Sequence, residues 1–441
     1  MRTVLSRGVI FTGTRLLRGD LVVEDDHIVA IGEDVEQHRG DRVIDCEGRV
    51  VAPSFIDLHT HVRFPGVDEA DDPESVARAG LAGGFGVLVA MANTVPPIDR
   101  LSRWHEANDR FRGLAVEVIQ ATSVTMDREG TQLVDVEALA SARVLIMSDD
   151  GSGIQRSDVM RDALVASAEY GVVIAQHSED ARLAAGGVIN DGAFVEALGV
   201  GGIPEVAESA MVARDVELLK VIPGQLHLQH VTARESLNLF RQAKREGLRI
   251  SAEVTPHHLL LPEGRVTTGD TRFKVNPPLR SPATQMALVQ GVVDGTFDCI
   301  ATDHAPHPES RKAGSYLDAA FGMVGLAEAW SAAWTAVRRS LPADQAALGP
   351  DLGSGAWVAL ARVLGALSVG PAAVLGRSVG LRAGAVADVV VLDPEQRPRE
   401  VPSRWYRSKN SPYQGEELIG QVDDLFVRGS QLVADGEVLD V

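Results

Sequence analysis

Eight short apolar runs, separated by longer stretches with helical periodicity, constrain this chain more than any other feature. They are Phe55-Ile-Asp-Leu58, Gly86-Val-Leu-Val-Ala90, Val116-Glu-Val-Ile-Gln120, Val144-Leu-Ile-Met147, Val172-Val-Ile-Ala175, Leu226-His-Leu-Gln229, Ile250-Ser-Ala-Glu-Val254 and Cys299-Ile-Ala301. Each is of strand length and most are rich in β-branched residues, while helices are expected at 158–170, 206–221 and 233–246. This alternation is the rhythm of βα units around a parallel sheet. Eight strands with seven crossovers predict an α/β fold, a (β/α)8 TIM-like barrel, over residues 52–377. No Gly-x-Gly-x-x-Gly follows the first strand, so a dinucleotide fold is not indicated.

The two ends read differently. Leu21-Val-Val23, Ile28-Val-Ala-Ile31 and Val43-Ile44 precede the barrel, and Asp388-Val-Val-Val-Leu392, Leu425-Phe-Val427 and Gln431-Leu-Val433 follow it. Neither set can bury a core alone. The expectation is one small β-sandwich module formed by both termini, residues 1–51 and 378–441.

Composition narrows the partners. A chain that is 45% hydrophobic and 23% charged is globular rather than disordered. A formal charge of −19 argues against nucleic acid or an anionic membrane surface, and an anionic small substrate would need local cations. Cys46 and Cys299 are too few for a disulfide framework and are expected in the core. The first 20 residues lack a signal-like apolar run, and no uninterrupted apolar run reaches the roughly 18 residues of a membrane span. A cytoplasmic home is expected.

In a barrel of this kind chemistry sits at the C-terminal strand ends. There the sequence places Asp57, His59 and His61 after strand one, Asp149 and Asp150 after strand four, His177 after strand five, His230 after strand six, and Asp303, His304 and His307 after strand eight. Residues i and i+2 share a strand face, so His59 and His61 can aim at one ion. That pair alone could equally be hydrogen-bonded core. With 12 histidines in the chain, four of them at three predicted strand ends point to metal ligation. Four imidazoles and two carboxylates exceed one tetrahedral site, which suggests two metals bridged by a carboxylate, or one metal with spare groups around it. Asp150 is the bridging candidate, Asp149 reads as a hydrogen-bonded carboxylate, and Asp303 could both bind metal and act as general base. Arg63 could grip a carboxylate bidentately. Asn93 and Asn276 fit either turns or substrate contacts. The polar stretch from His307 to Phe321 is expected to form a mobile loop.

The motifs Asp57-Leu-His-Thr-His-Val-Arg-Phe-Pro-Gly66, Met91-Ala-Asn-Thr-Val-Pro-Pro97, Ser148-Asp-Asp-Gly151, Gln176-His-Ser-Glu-Asp180, Glu253-Val-Thr-Pro-His-His-Leu259, Asn276-Pro-Pro-Leu-Arg280 and Ala301-Thr-Asp-His-Ala-Pro-His307 resemble, in order, those of class I dihydroorotase, in the amidohydrolase superfamily. The resemblance spans about residues 20–435. It implies one zinc held by His59, His61 and Asp303, a second held by His177 and His230, and Asp150 between them. Two zinc ions per subunit are expected, or one. It further implies that Arg63, Asn93 and His307, beside His61, receive the substrate carboxylate, and that Asn276 and the Phe321-Gly322 backbone hold the pyrimidine ring. The implied partners are dihydroorotate or carbamoyl aspartate, a second copy in a homodimer, and an aspartate transcarbamoylase complex.

Hydantoinases and allantoinases, the nearest rivals, use a carboxylated lysine as the bridge after strand four. This chain has no lysine before Lys220, so the bridge must be something else, and Asp150 agrees with the class I dihydroorotase pattern. A catalytically inactive scaffold is the other rival, and it should have lost ligands that this chain keeps. Phe64, Ala92, Ser178 and Ala327 depart from the usual Glu, Pro, Cys and Glu of the family. None of the four is a proposed ligand.

Overall fold

A computed structural model describes residues 1–33, 35–66, 69–397 and 406–440. All eight expected core strands form: Phe55–Thr60, Phe85–Ala90, Glu117–Gln120, Ile146–Ser148, Val173–Gln176, Gln225–Leu228, Ile250–Val254 and Cys299–Ile300. Most of their residues are buried, as expected of strands covered on both faces. The first three pair in parallel as one sheet and the other five as a second, each in chain order. Parallel bridges Thr122↔Met147 and Thr60↔His304 then join the two sheets at both ends, so the pairing order is cyclic. The expected helices appear as Ser157–Tyr170, Glu205–Leu219 and Arg234–Arg245.

Asp57 locks the junction between the first and eighth strands. Its carboxylate accepts from Thr302 N at 2.8 Å, Thr302 Oγ1 at 2.5 Å and Thr60 Oγ1 at 2.5 Å, with no solvent exposure. A buried carboxylate needs such donors, and here they fix the backbone immediately before Asp303.

Both termini build a single mixed sheet of nine strands rather than two hydrogen-bonded sheets. Val389–Asp393 runs antiparallel to Val50–Pro53, which joins the C-terminal strands to the N-terminal ones. Leu5, Ile10, Leu21, Ile28, Val389, Val391 and Phe426 form its own apolar cluster. The long strand Arg2–Phe11 was not expected from sequence. Arg7 interrupts its apolar pattern at a bulge, with φ of 62° and an exposed side chain. A small parallel pair, Gly187–Asn190 with Gly201–Ile203, was also unexpected. Its glycines permit a close approach: a Cβ on Gly201 would lie 2.0 Å from Gly186 O.

Among the described residues, the helical stretch Gly355–Val374 is long and apolar enough to cross a membrane. It is broken at Ser368, contains Arg362, and packs against the helix Pro282–Val293 and the first and eighth core strands, the packing of a core helix.

Candidate metal centre

The strand ends converge as the spacing predicts. His59 ends buried inside the first strand and His61 just beyond it, with ring centroids 5.3 Å apart. Asp150 faces both rings: its Oδ1 lies 3.3 Å from His59 Nε2 and its Oδ2 3.5 Å from His61 Nε2. The same Oδ1 is 3.5 Å from His177 Nδ1 and 3.6 Å from His230 Nε2, which are themselves 2.9 Å apart. Asp303 Oδ1 approaches His61 Nε2 at 2.9 Å and His59 Nε2 at 3.5 Å.

Two groups with ligand-atom spacing therefore share one residue: His59, His61 and Asp150, and Asp150, His177 and His230. Tetrahedral bonds of about 2.0–2.1 Å put ligand atoms about 3.3 Å apart, close to these separations. His59 Nε2 is fully buried yet has no hydrogen-bond partner, an expensive arrangement for a ring nitrogen unless it faces an ion. The donor set of imidazoles and carboxylates suits a borderline-soft divalent metal. On both counts the residues fit a metal.

Burial would raise the Asp150 and Asp303 carboxyls, but the surrounding imidazoles, His59 foremost, outweigh it and hold both well below the usual range. Each is thus anionic at neutral pH and a candidate ligand. Three of the site residues also sit in left-handed backbone: Arg63 at φ 61°, His230 at φ 32° and Asp303 at φ 47°. Such conformations cost free energy and cluster at functional sites. Asp149, by contrast, spends its carboxylate on Val124 N, Thr125 N and Thr125 Oγ1, the plain structural role expected of it.

Sequence reading gave no role to the groups beneath the cluster. Glu253, fully buried, bonds His59 Nδ1 at 2.7 Å and His227 Nε2 at 2.9 Å, and accepts from His230 N at 3.2 Å. Despite burial, His59 and His227 hold its carboxyl at about 2. A carboxylate on Nδ1 leaves His59 Nε2 free for the cluster and fixes the ring's orientation. A charged residue inside a buried strand was the available signal. Nearby, His257 is buried with Nε2 unpartnered, and burial pushes its pKa down to about 4.

Of the expected substrate contacts, Arg63, His307 and Phe321 lie together. Arg63 Nε donates to Pro306 O at 3.3 Å, and its Nη2 lies 3.5 Å from His307 Nε2. Burial lowers Arg63 to about 10, so it stays cationic at neutral pH. His307 Nε2 bonds Phe321 O at 2.7 Å, and burial with the nearby Arg63 lowers its pKa to about 3. A neutral His307 donating to that carbonyl presents Nδ1 as an acceptor, which leaves Arg63 as the cation for a carboxylate. Asn93 is turned to the candidate ligands: its Oδ1 meets His61 Nδ1 at 2.9 Å and its Nδ2 donates to Asp150 Oδ2 at 2.9 Å. Asn276 donates to Glu179 Oε1 at 3.2 Å and leaves Oδ1 buried and unpartnered. The segment expected to be mobile, from His307 to Phe321, holds a short helix, Glu309–Lys312, and is tied back through its backbone.

Phe64, one of the four departures, packs edge-on against Phe111 with Arg110 over its ring.

The family described as Dihydro-orotase-like matches residues 48–236. The chain is 34% identical to a dihydroorotase of Macrococcus caseolyticus, with 99% of this chain and 100% of that one covered. It is 36% identical to a dihydroorotase of a Geobacillus species, over 97% and 98% of the two chains. Among solved structures, an L-hydantoinase (dihydropyrimidinase) from Arthrobacter aurescens is similar with a TM-score of 0.84 at 22% identity, covering 99% of this chain and 97% of that one. A dihydropyrimidinase from Brevibacillus agri gives a TM-score of 0.80 at 19% identity, over 100% and 96%. At such identities these structures bear on the fold alone.

Proposed function

The chain belongs to the dihydroorotase family, and from that premise we propose that it interconverts N-carbamoyl-L-aspartate and (S)-dihydroorotate by reversible, zinc-dependent hydrolysis of a cyclic amide, the ring-forming step of pyrimidine biosynthesis. The observation that carries the site assignment is Asp150, a carboxylate common to two ligand groups in a chain without a lysine at that end. In this reading His59, His61 and Asp303 would hold one zinc and His177 and His230 a second, with Asp150 available to both. Zinc there supplies Lewis acidity toward a carbonyl oxygen and toward water.

The protein's own groups do the rest. Asp303, anionic and beside His61, accepts a proton from the attacking water. As the ring C–N bond breaks, it returns that proton to the leaving nitrogen, and the former carbonyl carbon becomes a carboxylic acid that releases water's second proton to solvent as it ionises. Arg63 receives the substrate carboxylate, and Asn276 Oδ1 offers a free acceptor for a ring N–H. Phe321 and Gly322 flank the ring. Asn93 and His307 support this arrangement through His61, Asp150 and Phe321.

The cyclic strand pairing supports a closed (β/α)8 barrel for residues 52–377, with 1–51 and 378–441 as the accessory module. Two unpaired, buried cysteines support a reducing, cytoplasmic home. The retained ligand set speaks against an inactive scaffold.

Arg63→Met tests the substrate assignment. Losing a charge-assisted bond should raise KM for dihydroorotate about 10–100-fold with zinc content unchanged. An unchanged KM would remove Arg63 from the site.

A further inference from the structure

Lys312 ends the helix Glu309–Lys312 and is 7% exposed, although lysine is seldom buried without an acidic partner. Its Nζ donates to three backbone carbonyls: Ala320 at 2.8 Å, Gly322 at 3.0 Å and Lys274 at 3.3 Å. An ammonium has three N–H donors and no acceptor, so these carbonyls use its whole capacity. Lys274 is also buried; its Nζ donates to Leu317 O at 2.8 Å and stands 4.6 Å from the Phe321 ring centroid. Two of the five lysines in the chain are thus sequestered on one segment.

That segment touches the site directly. Gly322 N donates to Lys274 O at 2.9 Å, and Gly322 O also accepts from Asn410 Nδ2 at 3.2 Å. Phe321 O is the acceptor for His307, which stands beside Arg63. Gly322 has φ of +131°, and a Cβ there would lie 2.9 Å from His307 Nε2 and 2.8 Å from Ala305 Cβ. Backbone, with no side chain between, is therefore pressed against His307. Burial lowers the pKa of both amines, Lys312 to about 7, a cost in free energy that neutral ties would avoid.

We propose that Lys312 is a positioning residue for substrate: by holding the Ala320, Gly322 and Lys274 carbonyls it fixes the Phe321-Gly322 backbone against His307 and so sets the affinity for the cyclic-amide ring. This rests on the reading of Phe321 and Gly322 as ring contacts.

The test is Lys312→Met on the zinc-loaded full chain, with KM and kcat for dihydroorotate, zinc per chain and the thermal melting curve measured together. A rise in KM of about tenfold or more, with kcat within about twofold and zinc unchanged, is expected, since ring positioning acts as binding. Dihydroorotate affinity of the double variant Lys312→Met, Asp303→Asn, against Asp303→Asn alone, should fall by the same factor without turnover. A folded, zinc-loaded Lys312→Met with unchanged KM overturns the proposal. If that variant does not fold, Lys274→Met decides: about a threefold rise in KM supports it, and none overturns it. Absence of wild-type turnover would overturn the functional reading and this inference with it, whereas wild-type turnover with an unmoved KM overturns the inference alone.

Discussion

Asp303→Asn is expected to lower kcat by about 10³–10⁴-fold while zinc stays bound, the upper range for loss of a general base. The substitution keeps an oxygen where Asp303 Oδ1 meets His61 Nε2 at 2.9 Å, so the cluster retains a neutral donor. It also suits the backbone, because Asn tolerates the left-handed conformation that Asp303 adopts at φ 47°. An amide oxygen, however, cannot take up and return a proton at neutral pH. Steady-state kinetics with zinc counted on the same sample checks this. Near-normal turnover would sink the assignment, and loss of zinc together with turnover would make Asp303 a ligand without separate evidence of base chemistry.

Asp150→Ala should have the largest effect on the metal centre as a whole. Its carboxylate approaches His59, His61, His177 and His230 within 3.3–3.6 Å, and it is the one residue common to both ligand groups. Removing it should leave less than one zinc per chain, measured by elemental analysis after dialysis, and no measurable turnover. Four buried imidazoles would also lose a carboxylate that stands within 3.3–3.6 Å of their ring nitrogens. Breaking a buried charge pair costs about 3–5 kcal/mol, so denaturant unfolding should show a loss of that order. Two zinc ions retained in this variant would contradict the bridge. Among the described residues every lysine is engaged elsewhere: Lys220, Lys244 and Lys409 pair with Glu217, Asp298 and Glu309, and the buried Lys274 and Lys312 donate to backbone carbonyls.

The parallel core was legible in the sequence for a physical reason. Strands covered on both faces become continuous apolar runs, and strands such as Val173–Gln176 stand out between helical stretches. The candidate metal ligands were legible because chemistry gathers at strand ends, where His59, His61, His177 and His230 break those runs. What was missed depends on contacts distant along the chain or on polar residues inside elements. Arg2–Phe11 hides behind Arg7 at its bulge, and Gln421–Val427 hides behind Asp423 and Asp424, buried on a strand that reads as apolar only from Leu425. Glu253 carried a signal, a lone carboxylate inside an apolar strand, but its partner His59 lies 194 residues away. Asn93, expected at the substrate, is hydrogen-bonded to His61 and Asp150, contacts that only geometry reveals. Lys312 and its three carbonyls left no pattern at all, because one donor is matched to backbone atoms that any residue would supply.

The account stands most directly on one comparison: kcat/KM for dihydroorotate beside hydantoin and allantoin, on protein with zinc counted per chain and again after chelation. It predicts two zinc ions, a preference for dihydroorotate of about 100-fold or more from the contacts to its carboxylate, and loss of turnover when zinc is removed. Equal or faster turnover of hydantoin or allantoin, or full dihydroorotate turnover by the zinc-free chain, would contradict it.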